Sequence, residues 1–104
     1  MSTPETKVKQ RVRKVLEEHD AYCFLPATGG YGRSGIPDIV GCYNGCFFAV
    51  ECKAGRGTTT ALQEKELRKI REAGGSAFVI NETNIEELSQ WLRDNSRDDR
   101  SQKG

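Results

Sequence analysis

Asp38, Glu51 and Lys53 flank a dipeptide, Asn44-Gly45, that lies between two runs rich in β-branched and aromatic residues, 36–43 and 46–54. That pattern is a strong short-range signal for a tight β-hairpin, and a two-residue turn fixes the register of its strands. Tyr43 then pairs with Cys46, Gly41 with Phe48, Ile39 with Val50 and Asp38 with Glu51. Directly opposed side chains have Cβ atoms about 4.5–5.5 Å apart, where like charges destabilise a sheet. Something must offset the two carboxylates. Alternation puts Lys53 on the same face as Glu51, and two carboxylates at this separation suit a hard divalent cation that takes oxygen ligands. The plainer alternative is a solvated face on which Lys53 bridges two acids. Against it, Val40, Cys42, Phe47 and Ala49 share the face and predict a mostly buried surface, where unpaired charge is expensive.

The elements that must position these residues follow from periodicity. Thr3 is a good N-cap and Pro4 suits the first position of a helix running to about Asp20, with Val8, Val12, Val15 and Leu16 as its apolar stripe. Glu5 projects within about 35° of the centre of that stripe at 100° per residue, so a third carboxylate is aimed towards the core. An acid favouring a helix N-terminus explains Glu5 nearly as well. Lys7, Arg11 and Lys14 lie on the other side, either as a solvated face or tracking a phosphate backbone. Tyr22 to Leu25 reads as a first short strand, followed by a glycine-rich loop, 26–35, in which backbone amides and Arg33 could approach a phosphate. Gly30-x-Gly32-x-x-Gly35 matches a dinucleotide fingerprint, but Pro37 and a strand follow where a helix is required, so no nucleotide cofactor is expected. After the hairpin come a helix at about Thr60 to Ala73 with Leu62, Leu67 and Ile70 inward, a buried strand at Ser76 to Ile80, and a third helix. The last starts from a Thr83-x-x-Glu86 capping box with Ile85, Leu88, Trp91 and Leu92 on one face.

At 104 residues and 11.6 kDa the chain supports a single core, placed at 1–94, with 95–104 expected to be a disordered polar tail. No apolar run reaches the roughly 20 residues that span a bilayer, and no signal peptide is evident, so a cytoplasmic protein with no membrane partner is expected. Net charge is +1, which by itself announces no nucleic-acid partner. The four cysteines are expected to be buried thiols, since the register places Cys42 and Cys46 on opposite faces, where they do not share a metal. His19, the single histidine, suits the C-terminus of the first helix better than catalysis.

Pro37-Asp38 followed, after twelve intervening residues, by Glu51-Cys52-Lys53 resembles the PD-(D/E)XK nuclease pattern. Glu5, Thr28-Gly29-Gly30, Gly35-Ile36-Pro37-Asp38, Glu51-x-Lys53 and Gln63, in that order, resemble one branch of it, the virus-type replication-repair nuclease (VRR-NUC) domain of the stand-alone phage or bacterial type. The resemblance implies an α/β fold with a restriction-endonuclease-like core, a mixed sheet with a central hairpin flanked by helices. It implies Mg2+ or Mn2+ held by Asp38, Glu51 and the Cys52 carbonyl, with Glu5 acting through water or a second metal, Lys53 orienting the attacking water, and Gln63 supporting it. DNA contacts would come from Lys7, Arg11, Lys14, Thr28, Gly29, Gly30, Arg33 and Arg56. The activity implied is DNA endonuclease cleavage in repair, by a homodimeric resolvase of four-way (Holliday) junctions in a bacterial or phage-infected cell. The chain is short, and apolar surface on Phe47, Phe48 and Trp91 is expected to need a partner copy. The alternatives are a flap or duplex nuclease, or a non-catalytic nucleic-acid-binding module with a structural ion.

Overall fold

A computed structural model describes residues 3–27 and 34–96. Seven elements follow one another: α1 (Pro4–Glu18), β1 (Tyr22–Phe24), β2 (Ile39–Tyr43), β3 (Cys46–Cys52), α2 (Ala61–Glu72), β4 (Ser76–Ile80) and α3 (Ile85–Asp94). The sheet order is β1-β2-β3-β4. The first three strands are antiparallel, and β4 runs parallel to β3 after the α2 crossover. This mixed sheet with three flanking helices is the α/β arrangement of a restriction-endonuclease-like core. Among the described residues no helix is long and apolar enough to cross a membrane. The expected tail falls almost wholly at 97–104, outside the described residues.

The hairpin sets everything else. Asn44 (φ 51°) and Gly45 (φ 85°) both adopt left-handed backbone, the demand of a two-residue turn matched to strand twist, and the register is the one that turn dictates from Tyr43–Cys46 to Ile39–Val50. Phe48, Val50 and Cys52 point to the face covered by Val8, Val12 and Leu16 of α1 and by Leu88 and Leu92 of α3. These side chains are almost completely removed from water, each contributing about 1.5–3 kcal/mol of transfer free energy. Trp91 closes that core against the rings of Tyr43, Phe48 and Phe78, with centroids 6.2, 5.7 and 5.6 Å away.

Several expectations are corrected. The third helix is capped at Asn84, not Thr83, and without a side-chain cap bond. Asn84 Oδ1 instead accepts from the Asn81 amide and Thr83 donates to Asn81, so the turn's own Asn side chains claim these groups. Leu62 is 52% exposed, because it lies in the first turn of α2 on the side it shares with Lys65 and Lys69, while Gln63 of the same turn reaches the sheet. Strand β4 is half-buried except at Ile80, as an edge strand is. Of the cysteines only Cys52 is buried, and Cys42 is exposed. Phe48 and Trp91 belong to the core, and among the described residues the exposed large apolar side chains are Tyr22, Phe24, Leu25, Phe47 and Leu62.

Gly35 positions the segment that delivers Asp38. It has φ 86°, and a Cβ there would lie 2.5 Å from the Leu62 carbonyl oxygen. Both the backbone conformation and the close approach to α2 require glycine. Gly35→Ala is expected to cost about 2–4 kcal/mol in chemical denaturation. A loss below about 0.5 kcal/mol would show that the 34–37 segment does not need this seat against α2.

Candidate metal centre

Asp38, Glu51 and Glu5 come from three elements and meet at one end of the sheet. The ladder between β2 and β3 stops at Ile39–Val50, so Asp38 is not the strand partner of Glu51, as the extended register implies. It lies in the bend that precedes β2, and its Oδ2 accepts the Cys52 amide hydrogen at 2.8 Å. Glu51 pairs instead with Val79 of β4. The carboxylates nevertheless converge: one oxygen from each of Glu5, Asp38 and Glu51 lies within 4.8 Å of the other two. Glu5 is brought there by α1, whose apolar stripe is buried against the sheet while its first turn reaches the acidic end.

Glu51 is the buried member, 2% exposed. Its Oε2 is 3.6 Å from Lys53 Nζ and accepts from Gln63 Nε2 at 3.1 Å, while its Oε1 is buried with no hydrogen-bond partner. Gln63 is doubly used. Its Oε1 accepts from the Thr60 amide while Thr60 Oγ1 accepts from the Gln63 amide, a capping box that starts α2. The same side chain thus ties the helix start to Glu51. The support expected for Lys53 goes to the carboxylate that Lys53 faces. Lys53 is itself anchored by its amide, which donates to the Ile80 carbonyl at 2.9 Å.

The apolar surroundings are narrower than the alternation suggests. Val40 and Ala49 are buried, but Cys42 and Phe47 on the same face are exposed: α2 crosses over β3 and β4 and leaves the β1–β2 side with Cys42 open, and Phe47 stands at the very start of β3, beside the end of α2. Burial, then the Asp38 charge, pushes the Glu51 carboxyl from 4.5 up to about 7, against the opposing pull of Lys53. The folded state therefore holds this proton more tightly than the unfolded chain does. Its stabilising contribution is complete below pH 4.5 and is lost as the pH rises through about 7. Denaturation in chelator is expected to show wild type losing roughly 3 kcal/mol relative to Glu51→Gln between the acid and alkaline ends of that window. Parallel curves for the two proteins would contradict the buried, repelled carboxylate.

One residue escaped the sequence reading. Lys9, one helical turn beyond Glu5, places Nζ 3.7 Å from Asp38 Oδ1. Its i+4 spacing from an inward acid was the available signal. Lys7, Arg11, Lys14 and Arg56 are not part of the cluster; Arg11 and Arg56 are exposed. Thr28, Gly29, Gly30 and Arg33 lie outside the described residues, as far as their structure goes. His19 is the C-cap of α1, with Nδ1 3.0 Å from the Val15 carbonyl oxygen.

A hard-oxygen cluster, a buried oxygen without a partner and an adjacent ammonium have the donor and charge chemistry that suits a divalent ion and an anionic ligand. Comparison with curated proteins finds no match. The family model of archaeal Holliday junction resolvases (Hjc) matches residues 7–92. That span holds Asp38, Glu51, Lys53 and Gln63 but begins just after Glu5. It supports the nuclease superfamily, while the virus-type branch remains a resemblance. With most of its length matched, the chain belongs to the archaeal Holliday junction resolvase (Hjc) family, a PD-(D/E)XK-type nuclease family.

Proposed function

We propose that this protein is a metal-dependent DNA endonuclease that resolves four-way junctions as a homodimer, leaving 5′-phosphate and 3′-hydroxyl ends. The observation that carries the reading is Glu51 Oε1, a buried carboxylate oxygen without a partner, on the residue that clusters with Asp38 and Glu5 and lies beside Lys53. An all-oxygen donor set of this kind fits Mg2+ or Mn2+ and not a thiol-seeking ion. Asp38, Glu51 and the Cys52 carbonyl would hold the ion, with Glu5 completing the acidic set. When bound, it supplies Lewis-acid charge to the phosphate and makes water a better nucleophile.

The chain's own residues do the positioning. Lys53 orients the attacking water and offsets charge developing on the phosphate, an electrostatic role that a half-buried ammonium performs better than a solvated one. Gln63 fixes the rotamer of Glu51, and the Cys52 amide fixes that of Asp38. Lys7, Arg11, Lys14 and Arg56, with Arg33 and Thr28-Gly29-Gly30, bind the DNA backbone. Tyr22, Cys42 and Phe47 form one cross-strand row on the open sheet face, and Phe24 lies two residues from Tyr22 on the same side. This face joins two copies, so that two sites meet a two-fold symmetric junction.

Labelled duplex, flap and four-way-junction DNAs incubated with Mg2+, Mn2+ or chelator test the reading. Metal-dependent paired nicks in the four-way junction are expected, with little cleavage of linear duplex. Preference for flaps would remove the resolvase assignment, and no cleavage of any substrate would remove the nuclease.

A further inference from the structure

The two ammonium groups at the acidic cluster are not equivalent, and the difference bears on how many ions it holds. Lys53 faces Glu51, while Lys9 faces Asp38 from α1, with side chains 29% and 21% exposed at the Lys9–Asp38 pair. We propose that Lys9 is a resident cation of this site that limits it to a single divalent ion. The inference rests on the metal-site reading above and specifies its stoichiometry.

Three observations carry it. The first is the use of the carboxylate oxygens. Asp38 Oδ1 faces Lys9, Asp38 Oδ2 takes the Cys52 amide, and Glu51 Oε2 is shared by Gln63 and Lys53. Of these four oxygens Glu51 Oε1 alone is left without a partner. The open coordination is therefore that of Glu51 Oε1 together with the exposed Glu5 carboxylate of the same cluster. The second is charge: Glu5, Asp38 and Glu51 bring three negative charges against the two positive charges of Lys9 and Lys53. One divalent ion brings the group to one excess positive charge, and a second would bring it to three in a partly desolvated site. The third is geometry. Paired ions in nucleases and phosphatases sit about 3.5–4 Å apart and clamp both reacting oxygens. A second ion at Asp38 Oδ1 would stand against the Lys9 ammonium, whose Nζ is 3.7 Å from that oxygen, and would meet a resident positive charge there.

Lys9 is thus a positioning residue that acts through Asp38. A purely structural clamp between α1 and the sheet would alter stability without altering the count of ions. The test is Mn2+ titration of the full chain without DNA, with free Mn2+ followed by electron paramagnetic resonance and folding checked by circular dichroism. Wild type and Lys9→Arg are expected to bind one Mn2+ per chain. Lys9→Met and Lys9→Gln are expected to bind two, with the first ion held about tenfold tighter than in wild type because a repelling charge is gone. Two ions on wild type, or one ion of unchanged affinity on Lys9→Met and Lys9→Gln, would overturn the proposal and leave the metal site intact. No ion on wild type would overturn the metal site and the proposal together.

Discussion

Asp38→Asn and Glu51→Gln are each expected to lower four-way-junction cleavage at least about a thousandfold, a loss of ~4 kcal/mol of transition-state stabilisation. Each removes one unit of negative charge from the cluster proposed to hold a cation, and neither removes much packing volume. The folded state should survive both changes for identifiable reasons. In Asp38→Asn the side-chain amide oxygen still accepts the Cys52 amide hydrogen that Asp38 Oδ2 takes at 2.8 Å. In Glu51→Gln the neutral side chain no longer repels Asp38 and Glu5, so the metal-free protein should gain stability above neutral pH, where the native carboxyl is ionised against its environment. Activity and stability therefore move in opposite directions at Glu51, as expected where a functional group is held at a cost to the fold. Wild-type turnover by both variants, assayed with Mg2+ and with Mn2+, would show that the cluster is not catalytic.

The second large effect concerns assembly and DNA binding. Lys7, Arg11, Lys14 and Arg56 of two protomers would make about eight phosphate contacts, so affinity for a four-way junction should fall about a thousandfold or more between 50 and 200 mM salt. Light scattering should give twice the 11.6 kDa chain mass. Placing charge in the open sheet face, as in Phe24→Glu with Phe47→Glu, should yield a folded monomer. Both side chains are about half exposed and outside the core, so the fold has little reason to fail. Junction resolution by that monomer should drop at least about a hundredfold, since one chain carries only one site. A wild-type monomer at micromolar concentration that favours flaps would end the resolvase assignment. It would leave the nuclease assignment standing, because the acidic cluster is complete within one chain.

The parts of this architecture that were legible in the sequence are those fixed by local rules. Asn44-Gly45 specified the turn and, through it, a register that holds from Tyr43–Cys46 to Ile39–Val50. Thr3-Pro4 opened α1, and the valines and Leu16 identified its buried stripe. The convergence of Glu5 on Asp38 and Glu51 was open to inference for the same reason, since helix phase and strand register each place a side chain on a face. What escaped was set by tertiary geometry. The ladder ends one residue short of Asp38 because its side chain, rather than its backbone, meets β3 through the Cys52 amide. Cys42 and Phe47 alternate like core residues yet are exposed, because no periodicity says how far α2 reaches across the sheet or along β3. Lys9 had the spacing to meet the site, but lysines on an amphipathic helix are so commonly solvated that the spacing alone did not distinguish it. Asn84 displaced Thr83 as the cap because Asn81 competes for the threonine hydroxyl and amide, a contest between neighbours that the capping pattern does not encode.

Lys53→Ala separates catalysis from binding most directly, because its ammonium faces the buried carboxylate at 3.6 Å and lies in neither the turn nor the core. The measurement pairs a gel-shift titration of a four-way junction in chelator with cleavage of the same junction after Mg2+ is added. The account predicts that wild type nicks the junction only when metal is present, and that Lys53→Ala binds it with affinity within about threefold but cuts it at least about a thousandfold more slowly. Equal cleavage by Lys53→Ala, or binding by wild type with no metal-dependent cleavage at all, would contradict the account and leave a nucleic-acid-binding module with a structural ion.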